Sequence, residues 1–277
     1  MNGKALEDWR VLVTGGGSGI GLGCAARFLD DGATVTLMGR SEERLIAARD
    51  QLGDSGERVH LVAGDVSSED DVVRAVALAS DGGARLDVAV ACAGTGTLAP
   101  VVSQTESEFD RVMRANLYGT LHTLKHAGRA IGRSGGGALC AISSIAGART
   151  HRCGGAYSAS KAAIDMLVQT MADEMGPVSV RVNSVLPGLV ETELSQGLQD
   201  DAAMLEDYLD CMPIRRTGKT SDIANAVRFL CGPEANWITG VLLNVDGGQH
   251  LRRGPLWDEL YTRGAGDYLA DARPAAN

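Results

Sequence analysis

The sequence has no long apolar run and no cluster of lysine and arginine. A membrane-spanning helix needs about 20 consecutive apolar residues, and surfaces that bind nucleic acid or anionic lipid are usually basic. The formal net charge is −9 at pH 7, and the first residues lack the basic and apolar segments of a signal peptide. We therefore expect a cytoplasmic protein with no membrane or nucleic-acid partner.

Cysteine pairs at disulfide or metal-ligand spacing are also missing. The six cysteines are widely scattered, with no C-x-x-C motif and no histidine at ligand spacing. This pattern predicts reduced thiols and no metal site. No Pro-rich or Ser-rich linker divides the 277 residues, so nothing in the composition separates two domains.

Short apolar runs alternate with longer segments of helical periodicity. Seven runs have the composition of strands: WRVLVT, ATVTLM, RVHLVA, DVAVACA, GALCAIS, VSVRVNSVL and GVLLNV. Segments such as SEERLIAARDQLG and SEDDVVRAVALAS lie between them. The alternation predicts an α/β fold: a single doubly wound Rossmann-type domain over residues 1–250, with a seven-stranded parallel sheet flanked by helices.

The first predicted strand ends in a glycine-rich turn, TGGGSGIG, from Thr14 to Gly21. Glycine allows close approach of the backbone to a ligand, and the free N–H groups at a helix N-terminus attract phosphate. A purely structural turn is the alternative. The strand–turn–helix context favours binding of a dinucleotide pyrophosphate.

The second and third strand ends bear on the choice of dinucleotide. The second ends in MGR, at Arg40, where an NAD-binding protein would place a carboxylate against the ribose. Arg40 can pair with a 2′-phosphate instead, so we expect NADP(H) to be favoured over NAD(H). The alternative is a surface pair with Glu42 or Glu43. Asp65 is placed either to accept a hydrogen bond from adenine or to cap the helix that begins near Ser67.

The stretch YSASK places Tyr157 and Lys161 four positions apart in a predicted helix. Residues at this spacing lie on one helical face. The pair can serve packing, with the lysine stem extending to water, or it can serve proton transfer. A phenol has a pKa of about 10, and a nearby ammonium group lowers that value by favouring the phenolate.

These motifs occur together and in a fixed order. TGGGSGIG, Asp65-Val66, ANLYG around Asn116, ISS ending at Ser144, YSASK and PGLVET resemble the short-chain dehydrogenase/reductase family in its classical form, over about residues 11–248. The resemblance implies an NAD(P)(H)-dependent oxidoreductase that interconverts a secondary alcohol and a ketone by hydride transfer. One departure is visible, because the family's N-N-A-G after the fourth strand is replaced by Ala-Cys-Ala-Gly at residues 91–94. The contacts through which the first asparagine steadies the sheet are then missing.

By this resemblance four residues form the catalytic set. Tyr157 is the general acid/base and Lys161 its activator, Ser144 holds the substrate oxygen, and Asn116 anchors a water relay at a break in its helix. The predicted cofactor-binding residues lie at strand ends or in the YSASK motif: Gly15, Gly17, Ser18, Gly19, Ile20, Gly21, Arg40, Asp65, Val66, Ala93, Gly94, Tyr157, Lys161, Pro187, Gly188, Val190 and Thr192.

The segment at about 193–217 lies where this family carries a substrate lid. Apolar residues in it and near Ser144 predict a hydrophobic substrate, steroid-like or another carbonyl compound: Met204, Leu205, Tyr208, Leu209, Met212, Ile145, Leu189 and Val190. One alternative is a 3-oxoacyl thioester reductase, which positive charges at residues 149–153 would suit, although a solvated turn is favoured there. An alternative of another class is a catalytically silent dinucleotide-sensing regulator.

Residues 251–277 form a C-terminal extension beyond the part that resembles the family. Apolar residues at 256, 257, 260 and 261 are spaced as one face of a short helix. We expect residues 255–262 to be helical and packed near the substrate entrance, since an exposed apolar face is unfavourable, and we expect disorder from Asp271. The resemblance also implies a homo-oligomer, a tetramer or a dimer.

Overall fold

The computed structural model describes residues 5–270. Within this part of the chain, seven parallel strands form one sheet in the order β3-β2-β1-β4-β5-β6-β7. The strands are β1 (Arg10–Thr14), β2 (Thr34–Gly39), β3 (Val59–Ala63), β4 (Val88–Ala91), β5 (Gly137–Ile142), β6 (Val180–Pro187) and β7 (Leu242–Val245). All seven predicted strands and the doubly wound parallel fold are confirmed.

Helices cover both faces of the sheet and its carboxyl edge. In residues 5–270 they are α1 (Gly19–Asp30), α2 (Glu42–Gln51), α3 (Glu69–Ala79), α4 (Glu106–Met113), α5 (Gly119–Arg133), α6 (Ile145–Ala148), α7 (Gly155–Met175), α8 (Gln196–Gln199), α9 (Ala202–Cys211), α10 (Thr220–Cys231) and α11 (Trp257–Ala265). A π-helical turn, Arg114–Tyr118, joins α4 to α5.

The core lies on both sides of the sheet. Successive strand residues point to opposite faces, so Val11 and Val13 pack into one cluster while Leu12 packs into the other. The first cluster includes Phe28 of α1, and the second includes Ile164 of α7. Strands buried on both faces are apolar at most positions, which explains why they are visible as nearly continuous apolar runs.

The strand order reverses between β1 and β4. In an open parallel sheet this reversal leaves a crevice at the carboxyl edge, where ligands bind. The glycine turn after β1 and the Ser144 segment after β5 both begin at that edge. The topology therefore brings together motifs that lie more than a hundred residues apart in the chain.

The chain beyond β7 continues into α11, which confirms the helix predicted at residues 255–262 with a start two residues later. The disorder predicted from Asp271 lies outside the described residues. All six cysteines are free thiols. Among residues 5–270, no helix has the length and apolar character needed to cross a membrane. The limits assigned to the domain, the lid and the extension stay predictions.

Candidate active site

Tyr157 and Lys161 lie in the first two turns of α7 and share one face of it. Lys161 is only 5% exposed, and its Nζ donates to the carbonyl oxygen of Ile142, at the end of β5, over 2.8 Å. The same Nζ lies 5.6 Å from the centroid of the Tyr157 ring. The lysine stem does not reach water, so the packing interpretation with an extended side chain is wrong.

Burial governs the acidity of both groups. It lowers the pKa of Lys161 to about 8, because a charged ammonium group is disfavoured away from water. Burial also raises the pKa of Tyr157, and the hydrogen bond with Ser144 offsets part of that rise. The role of Lys161 as activator of Tyr157 stays a prediction.

Ser144 lies between β5 and α6, on the side of the crevice that Tyr157 faces. Its Oγ accepts a hydrogen bond from the N–H of Ala146 over 3.1 Å, which fixes the start of α6. The neighbouring Ser143 donates from Oγ to the carbonyl oxygen of Lys161 over 3.2 Å. A Cβ added at Gly147 would lie 2.8 Å from the Lys161 carbonyl carbon, so only glycine lets α6 approach α7 this closely.

Asn116 lies in the π-helical turn and is fully buried. Its Oδ1 accepts from the N–H of Thr95 over 2.7 Å, and its Nδ2 donates to the carbonyl oxygen of Thr95 and to the Oγ of Ser160, each over 2.9 Å. The predicted break in the helix is confirmed. The side-chain amide ties the loop after β4 to α7, three residues from Tyr157.

The replacement of N-N-A-G by Ala-Cys-Ala-Gly has a local compensation. The Oγ1 of Thr14, at the end of β1, accepts from the N–H groups of Cys92 and Ala93 over 3.2 and 3.4 Å. The same hydroxyl donates to the carbonyl oxygen of Val90 over 3.4 Å. Thr14 thus joins the carboxyl ends of β1 and β4 without an asparagine, and the sheet at this point is held together.

The glycine turn after β1 fits a pyrophosphate. The first N–H groups of a helix have no partner within it, and the Ser18 side chain at the N-cap of α1 does not bond them. The first turn carries no acidic residue that would repel an anion. Gly15 has φ +68°, and a Cβ there would lie 2.8 Å from the Cα of Ala93. These observations suit a close-lying dinucleotide at Gly15, Gly17, Ser18, Gly19, Ile20 and Gly21.

Arg40 is exposed after β2 and has no ion pair with any described residue, so the predicted alternative with Glu42 or Glu43 is not found in this part of the chain. Asp65 accepts from the N–H of Ser67 over 2.8 Å. The cap of α3 is Ser68, whose Oγ accepts from Asp71. Asp65 thus shapes the turn before the helix, and its other carboxylate oxygen has no bond among the described residues. Val66 follows it and packs into the core beneath.

The segment after β6 closes over the glycine turn. A Cβ added at Gly19 would lie 3.2 Å from the methyl group of Thr192. Thr192 itself starts a short turn, with Ser195 donating to backbone oxygen atoms. Pro187 ends β6, and Gly188 follows it. These residues and Gly94, beside Asn116 and Lys161, bring most of the predicted cofactor set to one edge of the sheet.

Four of the predicted apolar lid and pocket residues form one buried cluster: Leu189, Met204, Tyr208 and Met212. Leu205 and Leu209 pack against it. Val190 does not belong to it, because its side chain packs into the sheet core with β1 and α10. Ile145 is buried at the start of α6 but lies outside the cluster. The expected roles of Val190 and Ile145 near the substrate stay predictions.

The positively charged loop at residues 149–153 bonds to other segments of the chain. Arg149 donates to the carbonyl oxygen of Gln249 over 3.0 Å and also to that of His250. Arg152 pairs with Asp258 of α11 over 2.6 Å. His151 is buried, and burial lowers its pKa. The loop is partly solvated, since Arg152 is exposed, but neither arginine is a free cation.

Two residues that the sequence did not single out as functional lie close to this site. Gln249 is 1% exposed, and neither atom of its side-chain amide has a hydrogen-bond partner among the described residues. Its Oε1 lies 2.8 Å from where a Cβ of Gly188 would be. Ser160 accepts from Asn116 and donates to the carbonyl oxygen of Tyr157 over 2.7 Å. In the sequence, Ser160 could have been noticed only as a polar residue within the YSASK motif. No pattern in the sequence points to Gln249.

Known proteins are similar to this chain in sequence and in fold. A family model described as enoyl-(acyl carrier protein) reductase matches residues 15–250. Glucose 1-dehydrogenase of Gluconobacter oxydans is 37% identical over 246 residues, which is 87% of this chain and 92% of that protein. A short-chain type dehydrogenase/reductase from Mycobacterium ulcerans, a solved structure, has a TM-score of 0.91 at 40% identity and covers 95% of this chain and 97% of its own.

This chain belongs to the short-chain dehydrogenase/reductase family. It is an NAD(P)-dependent oxidoreductase acting on CH–OH groups. A further member of the short-chain dehydrogenase/reductase family, a 7α-hydroxysteroid dehydrogenase, was solved with NADH and 7-oxo glycochenodeoxycholic acid. It has a TM-score of 0.84 at 29% identity and covers 89% of this chain and 96% of its own.

Proposed function

We propose that this enzyme interconverts a hydrophobic secondary alcohol and its ketone, with NADP(H) favoured over NAD(H). The observation that supports it most is the group of Ser144, Tyr157 and Lys161 at the carboxyl edge of β5, in which Ser144 and Lys161 are buried and Tyr157 is half-buried. Ser144 lies close enough to the Tyr157 phenol to offset part of the rise in its pKa, and the lysine has no carboxylate in an ion pair with it among the described residues. A sensor would need the glycine turn but not this acid/base pair.

In the proposed mechanism Tyr157 protonates the carbonyl oxygen during ketone reduction and removes that proton during alcohol oxidation. Ser144 holds the same oxygen through its hydroxyl, which can both donate and accept. When bound, the nicotinamide supplies or accepts the hydride. The lowered pKa of Lys161, about 8, lets it exchange a proton with solvent near neutral pH and so restore the proton on Tyr157.

Asn116 has a positioning role in this proposal. All three of its side-chain hydrogen bonds go to Thr95 and Ser160, so the amide itself has little capacity left for water. The π-helical turn around it is the kind of break that frees backbone groups. A water relay from Lys161 to solvent through this turn stays a proposal.

The cofactor residues proposed above hold the dinucleotide along the carboxyl edge. The pyrophosphate would lie on the N–H groups after β1, and Lys161 would bond a ribose hydroxyl. Arg40 is exposed and without an ion pair among the described residues, which leaves its guanidinium group free for a 2′-phosphate. The related 7α-hydroxysteroid dehydrogenase was solved with NADH, so the proposed preference rests on Arg40 alone.

Leu205 and Leu209, which lie at the edge of the apolar cluster and are only partly buried, support a hydrophobic substrate. A relative named 3-oxoacyl-[acyl-carrier-protein] reductase, from Chlamydia muridarum and 34% identical over 246 residues, favours the alternative, a 3-oxoacyl thioester substrate. That alternative loses support from Arg149 and Arg152, because both guanidinium groups already bond to other parts of the chain. A cytoplasmic homo-oligomer, a tetramer or a dimer, completes the proposal.

A panel of ketones and alcohols tested with both cofactors decides among these functions. The panel contains cyclic and steroid ketones, aldoses and a 3-oxoacyl thioester. We expect reduction of apolar ketones with NADPH to give the highest kcat/KM. A preference for the thioester selects the alternative, and an absence of turnover with every compound contradicts the proposed alcohol/ketone activity.

A further inference from the structure

The C-terminal helix α11 packs directly on α9. Trp257 and Leu260 of α11 contact the buried cluster that contains Met204 and Tyr208 of α9 and Leu189 from the end of β6. The matched family model ends at residue 250, so this packing is contributed by the extension. An apolar face of α9 is therefore covered by a segment outside the family match.

Ion pairs and a hydrogen bond connect α11 and the residues before it to α9. Asp201, the N-cap of α9, pairs with Arg263 over 2.8 Å. Asp207, in the middle of α9, accepts from the N–H of Leu256 over 2.8 Å and also pairs with Arg253. These contacts, together with the apolar packing, fix the position of α9 relative to the extension.

The other side of α11 contacts the loop that leads into α7. The Trp257 ring lies 4.9 Å from the His151 ring, measured between centroids. A Cβ added at Gly154 would lie 2.7 Å from the Trp257 ring, so glycine is required for this approach. Asp258 pairs with Arg152 over 2.6 Å. Gly154 is three residues before Tyr157, so α11 bridges α9 and the start of the catalytic helix.

One hydrogen bond lies at the centre of this bridge. The indole Nε1 of Trp257 donates to the Tyr208 hydroxyl over 2.6 Å, and Tyr208 is only 3% exposed. A phenol that accepts one hydrogen bond keeps its own O–H as a donor, and no acceptor for it is found among the described residues. Burial raises the pKa of Tyr208, and the nearby Tyr157 phenol adds to the rise, so the group stays a neutral donor.

We propose that the C-terminal extension holds α9 closed over the active site, with Trp257 as the positioning residue and the Tyr208 hydroxyl as the group that it positions. The free O–H of Tyr208 then donates to an oxygen atom of the substrate. The part that concerns substrate rests on the function proposed above. The part that concerns closure of α9 does not.

Hydrogen exchange tests the closure directly. Trp257→Phe keeps an aromatic ring but removes the N–H donor and part of the packed indole, so we expect amides of residues 202–211 to exchange at least about twofold to tenfold faster, the usual effect of one lost hydrogen bond. Tyr208→Phe removes the same bond with little change in side-chain volume and should have a similar effect. The matched control is Trp237→Phe, since that side chain is 96% exposed. Unchanged exchange in residues 202–211 of the Trp257→Phe protein would overturn the proposal.

Steady-state kinetics tests the positioning role with the ketone that the panel identifies. Trp257→Phe should raise the KM for ketone about threefold to tenfold, while kcat and the KM for NADPH change by less than about twofold. Tyr208→Phe removes the same bond from the other partner. The double variant should be no worse than Tyr208→Phe, because the indole then has no hydroxyl to position.

Additive effects of the two substitutions, or equal changes in the KM values for ketone and NADPH, would contradict the positioning role. If Trp257→Phe does not fold, Tyr208→Phe alone must accelerate exchange in residues 202–211 for the proposal to stand. If the wild-type enzyme reduces no ketone, the proposed function is wrong, and the exchange result still decides whether α11 holds α9 closed.

Discussion

Lys161 and Arg40 are both cations at the carboxyl edge of the sheet, but Lys161 is buried and Arg40 is exposed to solvent. Lys161 is 5% exposed, is bonded to the Ile142 carbonyl oxygen and has a pKa lowered by burial. Arg40 is exposed and has no ion pair with a described residue. The β5–α7 end of the crevice is thus fixed before any ligand binds, whereas the β2 end is open.

This difference indicates what each end can do. A proton-transfer group must be held close to its working geometry, which packing and hydrogen bonds achieve at the β5–α7 end. A group that selects between two cofactors needs only to reach a phosphate from solvent. Substitutions at the β5–α7 end should therefore affect folding and turnover together, and substitutions at the β2 end should affect only the choice of cofactor.

The largest effect is expected at the buried end. Lys161→Ala removes the ammonium group beside Tyr157 and its bond to Ile142, so we expect turnover to fall at least about a hundredfold and NADPH to bind more weakly. The matched control is Lys125→Ala on α5, where the lysine pairs with Glu69 at the surface. Normal turnover by Lys161→Ala would contradict the assignment of proton transfer to the buried β5–α7 end.

Asn116→Ala tests whether the buried end is also a structural unit. The substitution leaves the N–H and carbonyl of Thr95 and the hydroxyl of Ser160 without their partner. We expect the free energy of unfolding to fall by about 2 to 4 kcal/mol, measured by denaturant unfolding. Asn236→Ala, at an exposed position, serves as the control. Equal stability of the two variants would show that this network contributes nothing.

Arg40→Ala tests the open end. We expect the KM for NADPH to rise about tenfold, because a charge-assisted hydrogen bond is lost, while the KM for NADH and the melting temperature stay the same. Arg74→Ala, whose side chain pairs with Asp71 on α3, controls for loss of surface charge. The 2′-phosphate assignment fails if both cofactors are affected equally or if the wild-type enzyme already prefers NADH.

A further test of the buried end concerns the pH dependence of turnover. Burial lowers the pKa of Lys161 from 10.5 to about 8, so the ammonium form is present below that value and is lost above it. We expect kcat/KM for ketone reduction to fall by up to about tenfold per unit above pH 8, while Tyr157, with its raised pKa, stays protonated. A profile that stays level well above pH 8 would contradict the lowered pKa.

The same pKa shift has a consequence for stability. Between pH 8 and 10.5 the unfolded chain binds more protons at this lysine than the folded chain does. The contribution of Lys161 to the free energy of unfolding therefore rises with pH across this window. Comparing wild type with Lys161→Met over that range measures it.

The sequence predicted the parts of this molecule that depend on short-range patterns. β1 and β4 are visible as apolar runs because both of their faces are buried. Tyr157 and Lys161 are visible as a pair because four helical residues return to the same face. The glycine turn is visible because Gly15 and its neighbours leave no room for side chains.

Contacts between distant segments were not predictable. Trp257 and Tyr208 are 49 residues apart, and no periodicity relates them. The Lys161 bond to Ile142 and the Thr14 bonds to Cys92 and Ala93 likewise depend on how strands and helices meet. The packing of Val190 against the sheet core, apart from its neighbour Leu189, likewise has no signal in the sequence. Tertiary packing decides each of these cases.

The most direct test of the account is the turnover of Tyr157→Phe at saturating NADPH. Tyr118→Phe, which removes a phenol that is 50% exposed, is the matched control. We expect Tyr157→Phe to bind NADPH nearly as the wild type does and to lose at least about a hundredfold in turnover, with the control unaffected. Turnover by Tyr157→Phe close to that of the wild type would contradict its role as the general acid/base.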